Sequence, residues 1–239
     1  MRRGKLIGLG VGPGDPELLT VKAARLLETA QVVAFVAAAG RSSRARETAG
    51  AYLRPGTREL VAVLPAGADA AATSRAYGQL ATGIVGELGQ GHDVVFLSEG
   101  DPLLYGSFAY LLERLGSRFE CLVVPGIPSF VAAAAAAAWP IALRDQAVAL
   151  LPASLPPRRM EAILKDVDRV VLLRVGRNLA KLRQALAAAR MGRGALLVEG
   201  LGTAAQRIRP LEEASEETVG PLAVVLAARL PVGSGERSG

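Results

Sequence analysis

The sequence predicts an α/β protein of two α/β lobes with mainly parallel sheets. Three observations predict it. Short apolar runs rich in β-branched residues alternate with segments whose apolar residues recur at helical spacing, the pattern of strands joined by crossover helices. Several of the apolar runs end in turns rich in Gly and Pro. The alternation breaks at Trp139-Pro140 and restarts near residue 147, which divides the chain into lobes 1–140 and 141–232 and leaves a flexible tail at 233–239.

The elements follow in order. Residues 5–9 read as a buried strand. Residues 16–29 read as a helix, with Asp15 as N-cap and Pro16 at the first helical position. Leu18, Leu19, Val21, Ala24, Leu26 and Leu27 form its apolar face. A strand at 31–36, a helix at 42–53 and a strand at 60–64 come next, then a long helix at 71–88. The fourth strand, 93–97, runs into a Gly-rich turn and a helix at 105–115. A fifth strand at 120–124 leads to a nearly all-Ala helix at 128–138. After a linker at 141–147, the second lobe reads as strands at 147–151, 169–173, 195–199 and 221–227, with helices at 158–166 and 179–190.

Composition excludes several classes. The chain has 239 residues, 51% of them apolar, yet no run approaches the length of a membrane span. The basic start, Met1 to Lys5, leads into a glycine loop and not into a signal-peptide core, which predicts a cytoplasmic protein. One cysteine, Cys121, and one histidine, His92, permit neither an internal disulfide nor a zinc site of the usual kind. Cys121 reads as a small core residue and His92 as a turn residue. The net charge of +6 favours an anionic partner. Aromatics are only 4%, and no Lys/Arg block is interleaved with Phe or Tyr, which argues against a single-strand nucleic-acid platform.

The first turn, Gly8-Leu9-Gly10-Val11-Gly12-Pro13-Gly14-Asp15, joins a strand to a helix and so invites a dinucleotide reading. The sixth position is Asp15 counted from Gly10 and Pro13 counted from Gly8, where that fingerprint wants Gly or Ala. A carboxylate at the helix start also occupies the N–H groups a pyrophosphate would need. The second strand ends Phe35-Val36-Ala37, with no acid for a ribose hydroxyl, and no Gly-Lys-Ser/Thr follows to make a phosphate loop. The glycines could simply turn the chain while Asp15 caps. Four glycines in seven residues also leave bare backbone that a large flat ligand can approach. Two more turns stand after buried strands: Glu99-Gly100-Asp101-Pro102, and Pro125-Gly126-Ile127-Pro128-Ser129. Ligands in α/β folds bind outside such carboxyl ends and often between lobes.

These three turns, in this order and spacing, resemble the class III methyltransferases, the tetrapyrrole methylases, over about residues 5–231. The stretch Phe96 to Phe108 and the run Arg174-Val175-Gly176-Arg177-Asn178 are similar to the enzymes of cobalamin biosynthesis that methylate C20 of precorrin-2, giving precorrin-3A or its cobalt-containing equivalent. Relatives often carry an aromatic where Leu103 and Leu104 stand, and Ser or Thr at Pro128. The resemblance implies the family fold, a homodimer, no metal, and S-adenosylmethionine bound in a cleft between the lobes and released as S-adenosylhomocysteine. It implies cofactor contacts at Leu9, Gly100, Asp101, Leu104, Tyr105, Gly106, Pro128, Ser129, Val175, Leu201, Gly202 and Leu222. The Gly12-Pro13-Gly14-Asp15 loop would face an anionic tetrapyrrole. Arg41, Arg44, Arg46 and Arg177 are candidates for its carboxylates. Asp15, Glu99 and Tyr105 are candidates for the base that takes a proton from the ring. Three rivals stay open: a related methyltransferase acting at another ring position or on another substrate, a basic nucleic-acid-binding protein, and a nicotinamide oxidoreductase.

Overall fold

The computed structural model describes residues 2–65, 67, 69–215, 219, 220 and 222–229. Pro221 and the tail 233–239 lie outside them. Two compact units make up the chain, 1–128 and 129–239.

The first unit holds β1 (Leu6–Gly10), α1 (Val21–Thr29), β2 (Val32–Ala38), α2 (Arg44–Ala49), β3 (Arg58–Leu64), α3 (Ala70–Gly89), β4 (Val94–Ser98), α4 (Phe108–Leu115) and β5 (Cys121–Val124). The strands form one sheet in the order β3-β2-β4-β1-β5, and all four pairings are parallel. Both faces are covered. Leu6, Val94 and Phe96 pack with α3 and α4 residues such as Ile84, Leu88 and Leu111, while Ile7, Leu9, Val95 and Leu97 pack with Ala23, Leu27 and Ala49 of α1 and α2. Burial on both faces explains why β1 and β4 read as unbroken apolar runs.

The helix expected at 16–29 is two pieces. Asp15 accepts from the Glu17 amide at 2.9 Å and caps only a 3-10 turn, Pro16–Leu18. Thr20 then accepts from the Ala23 amide at 3.1 Å and starts α1 afresh. The helix expected from 105 begins at Phe108, because Tyr105 has φ 52° and a Cβ on Gly106 would strike the Pro102 carbonyl.

The second unit holds α5 (Ser129–Ala136), β6 (Val148–Pro152), α6 (Pro157–Lys165), β7 (Arg169–Leu173), α7 (Leu179–Ala188), β8 (Leu196–Glu199), β9 (Arg207–Pro210) and β10 (Val224–Ala228). Its sheet runs β6-β7-β10-β8-β9, with β6–β7 parallel and the other three pairings antiparallel. The mainly parallel character therefore resides in the first sheet, and the second is mixed. α5 belongs here and not with the first lobe. Its Ala133 and Ala134 are buried with Val171, Leu173, Val198, Val224 and Leu226, so the division falls at Pro128 and not at Pro140. The opposite face packs α6 and α7 through Met160, Leu164, Leu182 and Leu186. No helix among the described residues is long and apolar enough to cross a membrane.

Candidate functional site

In the first unit β4, β1 and β5 are neighbours, so their carboxyl ends deliver all three glycine turns to one edge of the sheet. The turns are joined through the backbone. Gly12 and Gly100 exchange two hydrogen bonds, the Gly100 amide to the Gly12 carbonyl at 2.8 Å and the Gly12 amide to the Gly100 carbonyl at 3.3 Å. The Val11 amide donates to the Ser98 carbonyl at 2.9 Å. Gly10 and Gly126 lie so close that a Cβ on Gly10 would stand 2.5 Å from the Gly126 nitrogen and 2.6 Å from the Gly100 carbonyl oxygen. A Cβ on Gly126 would collide with that same oxygen. Gly12, Gly14 and Gly100 hold φ of 75°, 126° and 68°, the left-handed region that glycine enters without strain.

Asp101 completes the junction. One carboxylate oxygen accepts from the Leu103 amide at 2.9 Å and the other from the Gly126 amide at 3.2 Å. The side chain expected to border a cofactor is therefore engaged on the protein's own second and third turns. Arg44 and Thr48 of α2 hold the first turn from outside: the Arg44 guanidinium donates to the Pro13 carbonyl at 3.1 Å, and the Thr48 hydroxyl to the Gly14 carbonyl at 3.4 Å. Arg44 also stands 3.5 Å from Glu99. Partial burial raises the Glu99 carboxyl above its usual value, and Arg44 opposes the rise. Ser98, at the end of β4, has the only buried side-chain oxygen or nitrogen among the described residues without a hydrogen-bond partner.

The remaining expected residues divide clearly. Gly12, Pro13, Gly14 and Asp15 all belong to the joined edge, as do Leu104, Tyr105 and Gly106 in the turn after Asp101. Leu103 and Tyr105 are exposed there, at 53% and 47%. Pro128 closes the first unit and Ser129 opens α5 in the second. Leu9 is fully buried in the core, and its backbone lies in the ladder between β4 and β5. Arg46 forms a 2.5 Å ion pair with Glu59 of β3, and Arg41 is exposed.

In the second unit β7 and β8 both run antiparallel to β10, so the ends of β7 and β8 share an edge with the start of β10. Val175, Leu201, Gly202 and Leu222 all lie at that edge. Val175 is fully buried and Leu201 nearly so, while Leu222 is exposed. Arg177 is exposed in a 3-10 turn, Gly176–Asn178. His92 is not a site residue. Its Nδ1 is 2.8 Å from Glu87, which also pairs with Arg58. No group of three or more His, Cys, Asp or Glu that could hold a metal ion occurs among the described residues.

Sequence reasoning missed Ser98, Thr48 and the clamping role of Asp101. The Gly100-Asp101-Pro102 turn marks Asp101 as a cap for its own turn, whereas its second partner, Gly126, is distant in sequence.

Comparisons with known proteins agree with this geometry. A family model for tetrapyrrole (corrin/porphyrin) methylases matches residues 5–215. The chain is 41% identical over 225 residues to the cobalamin biosynthesis protein CobIJ of Mycobacterium tuberculosis, a match covering 91% of this chain and 44% of that protein. The chain thus spans less than half the length of that relative. It is 40% identical over 193 residues to a precorrin-2 C(20)-methyltransferase of a Sinorhizobium species, covering 77% of this chain and 79% of the relative. The uroporphyrin-III C-methyl transferase of Thermus thermophilus, solved in complex with S-adenyl homocysteine, has a TM-score of 0.67 at 26% identity and is matched over 94% of this chain and 92% of its own. On the strength of the family match across most of its length, the chain belongs to the tetrapyrrole methylases.

Proposed function

We propose that this chain transfers the methyl group of S-adenosylmethionine to C20 of precorrin-2, or of its cobalt-containing form, in cobalamin biosynthesis. The observation that carries the methyl-transfer reading is the junction of Gly10, Gly100 and Gly126, three turns packed backbone to backbone at one sheet edge. Such an edge presents fixed main-chain groups and no protruding Cβ, which suits a folded cofactor recognised through backbone atoms. The Thermus relative, matched along nearly all of this chain, is complexed with S-adenyl homocysteine. The C20 position rests on the Sinorhizobium relative. Methylation at another ring position is the alternative, since the family acts on several and fold alone does not choose among them.

Bound S-adenosylmethionine supplies a methyl group on a positively charged sulfur, already activated for in-line displacement. The chain's own part is alignment and exclusion of water. Gly100, Asp101, Leu104, Tyr105 and Gly106 in the first unit, Pro128 and Ser129 at the boundary, and Val175, Leu201, Gly202 and Leu222 in the second would hold the cofactor, mostly through main-chain groups. Asp101 keeps the second and third turns in register for that task. Glu99 is the best suited of the three candidate bases. Asp15 spends an oxygen on the Glu17 amide, whereas burial raises the Glu99 carboxyl toward proton-accepting strength. Its carboxylate would take the proton that leaves the methylated carbon. The reading includes a cytoplasmic homodimer acting on an anionic tetrapyrrole, with neither nucleic acid nor membrane as partner.

Heating the purified protein with S-adenosylhomocysteine, with NAD, or with duplex DNA tests the reading. A ligand that binds the folded state raises the midpoint. A rise with S-adenosylhomocysteine alone is expected, and a rise with NAD alone would sink the proposal.

A further inference from the structure

The cationic excess is unevenly distributed. Residues 129–239 carry fifteen Lys and Arg against ten Asp and Glu, while residues 1–128 carry thirteen against twelve. Several arginines of the second unit have structural employment. Arg183 donates to the carbonyls of Leu211 and Ala214, Arg229 to those of Leu164 and Ala189, and Arg209 holds the buried Glu199. Arg158, Arg159 and Arg177 differ, as do Arg144, Arg190 and Arg193. All six are exposed, and among the described residues none of their side chains has a hydrogen bond or ion pair.

The topology gathers Arg158, Arg159 and Arg177. β6 and β7 are parallel neighbours with Pro152 opposite Leu173, so the connections that follow them leave from one sheet edge. The Ala153 amide donates to the Leu173 carbonyl at 2.7 Å, and Lys181 of α7 donates to the Leu155 carbonyl at 3.1 Å, which joins the two connections again. Arg158 and Arg159 stand in the first turn of α6, and Arg177 in the turn that leads into α7. No Asp or Glu occurs in 146–160 or in 169–198, and Glu161, the nearest acid on α6, forms no ion pair with these arginines. Two cations in the first turn of a helix oppose its dipole. They do not serve the helix, and they are poorly explained as surface decoration.

We infer that Arg158, Arg159 and Arg177, at the carboxyl edge of the β6–β7 pair, bind carboxylates of the substrate's side chains. The inference rests on the proposed tetrapyrrole substrate, a ring carrying many acetate and propionate groups. It moves the substrate-binding arginines away from Arg44 and Arg46, which the structure commits to the glycine turn and to Glu59. The chemistry recognised is that of several carboxylates spread around a flat ring, and guanidinium forks suit it.

The test is a fluorescence titration with uroporphyrin III, which is octacarboxylic, and coproporphyrin III, which is tetracarboxylic. The proteins compared are wild type, the triple variant Arg158→Gln/Arg159→Gln/Arg177→Gln, and the corresponding triple Arg→Lys variant. Wild type should bind uroporphyrin the more tightly. The Gln variant should lose about tenfold in that affinity together with the preference, as expected for three exposed charge contacts of modest size. The Lys variant should retain most of it. The affinity for S-adenosylhomocysteine should stay unchanged in both variants. Equal uroporphyrin affinity in wild type and the Gln variant would overturn the inference, and so would a wild type that binds no uroporphyrin. A wild type that fails to bind S-adenosylhomocysteine would instead overturn the proposed function.

Discussion

A methyl group added at Gly126 would have no room, because the Gly100 carbonyl already fills the place it would take. Gly126→Ala should therefore cost about 1–3 kcal/mol, as overpacking does, and should weaken S-adenosylhomocysteine binding in calorimetry. Ser98 predicts the opposite sign. Its hydroxyl is buried and unpaired, so Ser98→Ala removes a desolvated group of about 1–3 kcal/mol and should raise the melting midpoint of the free protein. A fall would mean that the hydroxyl has a partner in solution, such as an internal water. Glu99→Gln should lower kcat more than it changes KM, since the amide cannot accept the proton. Much of this edge was legible in the chain, because turns of Gly, Pro and Asp after buried runs mark themselves. What the glycines are for was not legible. Gly10 meets Gly126 only when β1 and β5 pair. Arg44 and Arg46 read alike in sequence and differ entirely in space, since their partners Pro13 and Glu59 come from separate elements. Leu9, beside the same turn, lies wholly inside the sheet, which its place in the chain did not reveal.

Helices and strands followed the apolar periodicity closely, and the departures have local causes. Thr20 restarts α1 because its hydroxyl satisfies the Ala23 amide, and this cap outweighs the continuous apolar face that suggested one helix. β9 was not expected. It is a four-residue edge strand, Arg-Ile-Arg-Pro, whose pairing with β8 supplies what its composition does not. At the opposite end of the first sheet from the glycine turns, α3, β3 and the turn before β4 are tied by Glu87, Arg58 and His92. Burial pushes the Glu87 carboxyl up, yet the bonds from His92 and Arg58 outweigh it and leave it below its ordinary value of 4.5. A carboxyl lowered in the folded state stabilises the fold above its unfolded value, and that stabilisation is lost as pH falls through the folded one. Wild type should thus lose stability below about pH 4.5, and Glu87→Gln should flatten the urea-unfolding profile in that acid window. An unchanged acid limb in the variant would remove Glu87 from the account.

The chain as a whole is two units, each with its own sheet and cores. The break at Trp139-Pro140 was visible because Pro ends helices, but the boundary lies earlier because α5 covers one face of the second sheet. A helix of alanines carries no marker of which sheet it will cover. Fragment 129–239 should accordingly stay in solution better than fragment 141–239, which would expose Val171, Leu173, Val198 and Leu226. Equal solubility of the two would contradict the assignment. The most direct test of the central claim is anaerobic incubation of the protein with precorrin-2 and S-adenosylmethionine labelled with carbon-13 in its methyl group, followed by carbon NMR of the product. One enriched methyl resonance, on C20, is the expected result. A tetrapyrrole recovered without label would contradict methyl transfer to this ring, and label on a different carbon would contradict the position.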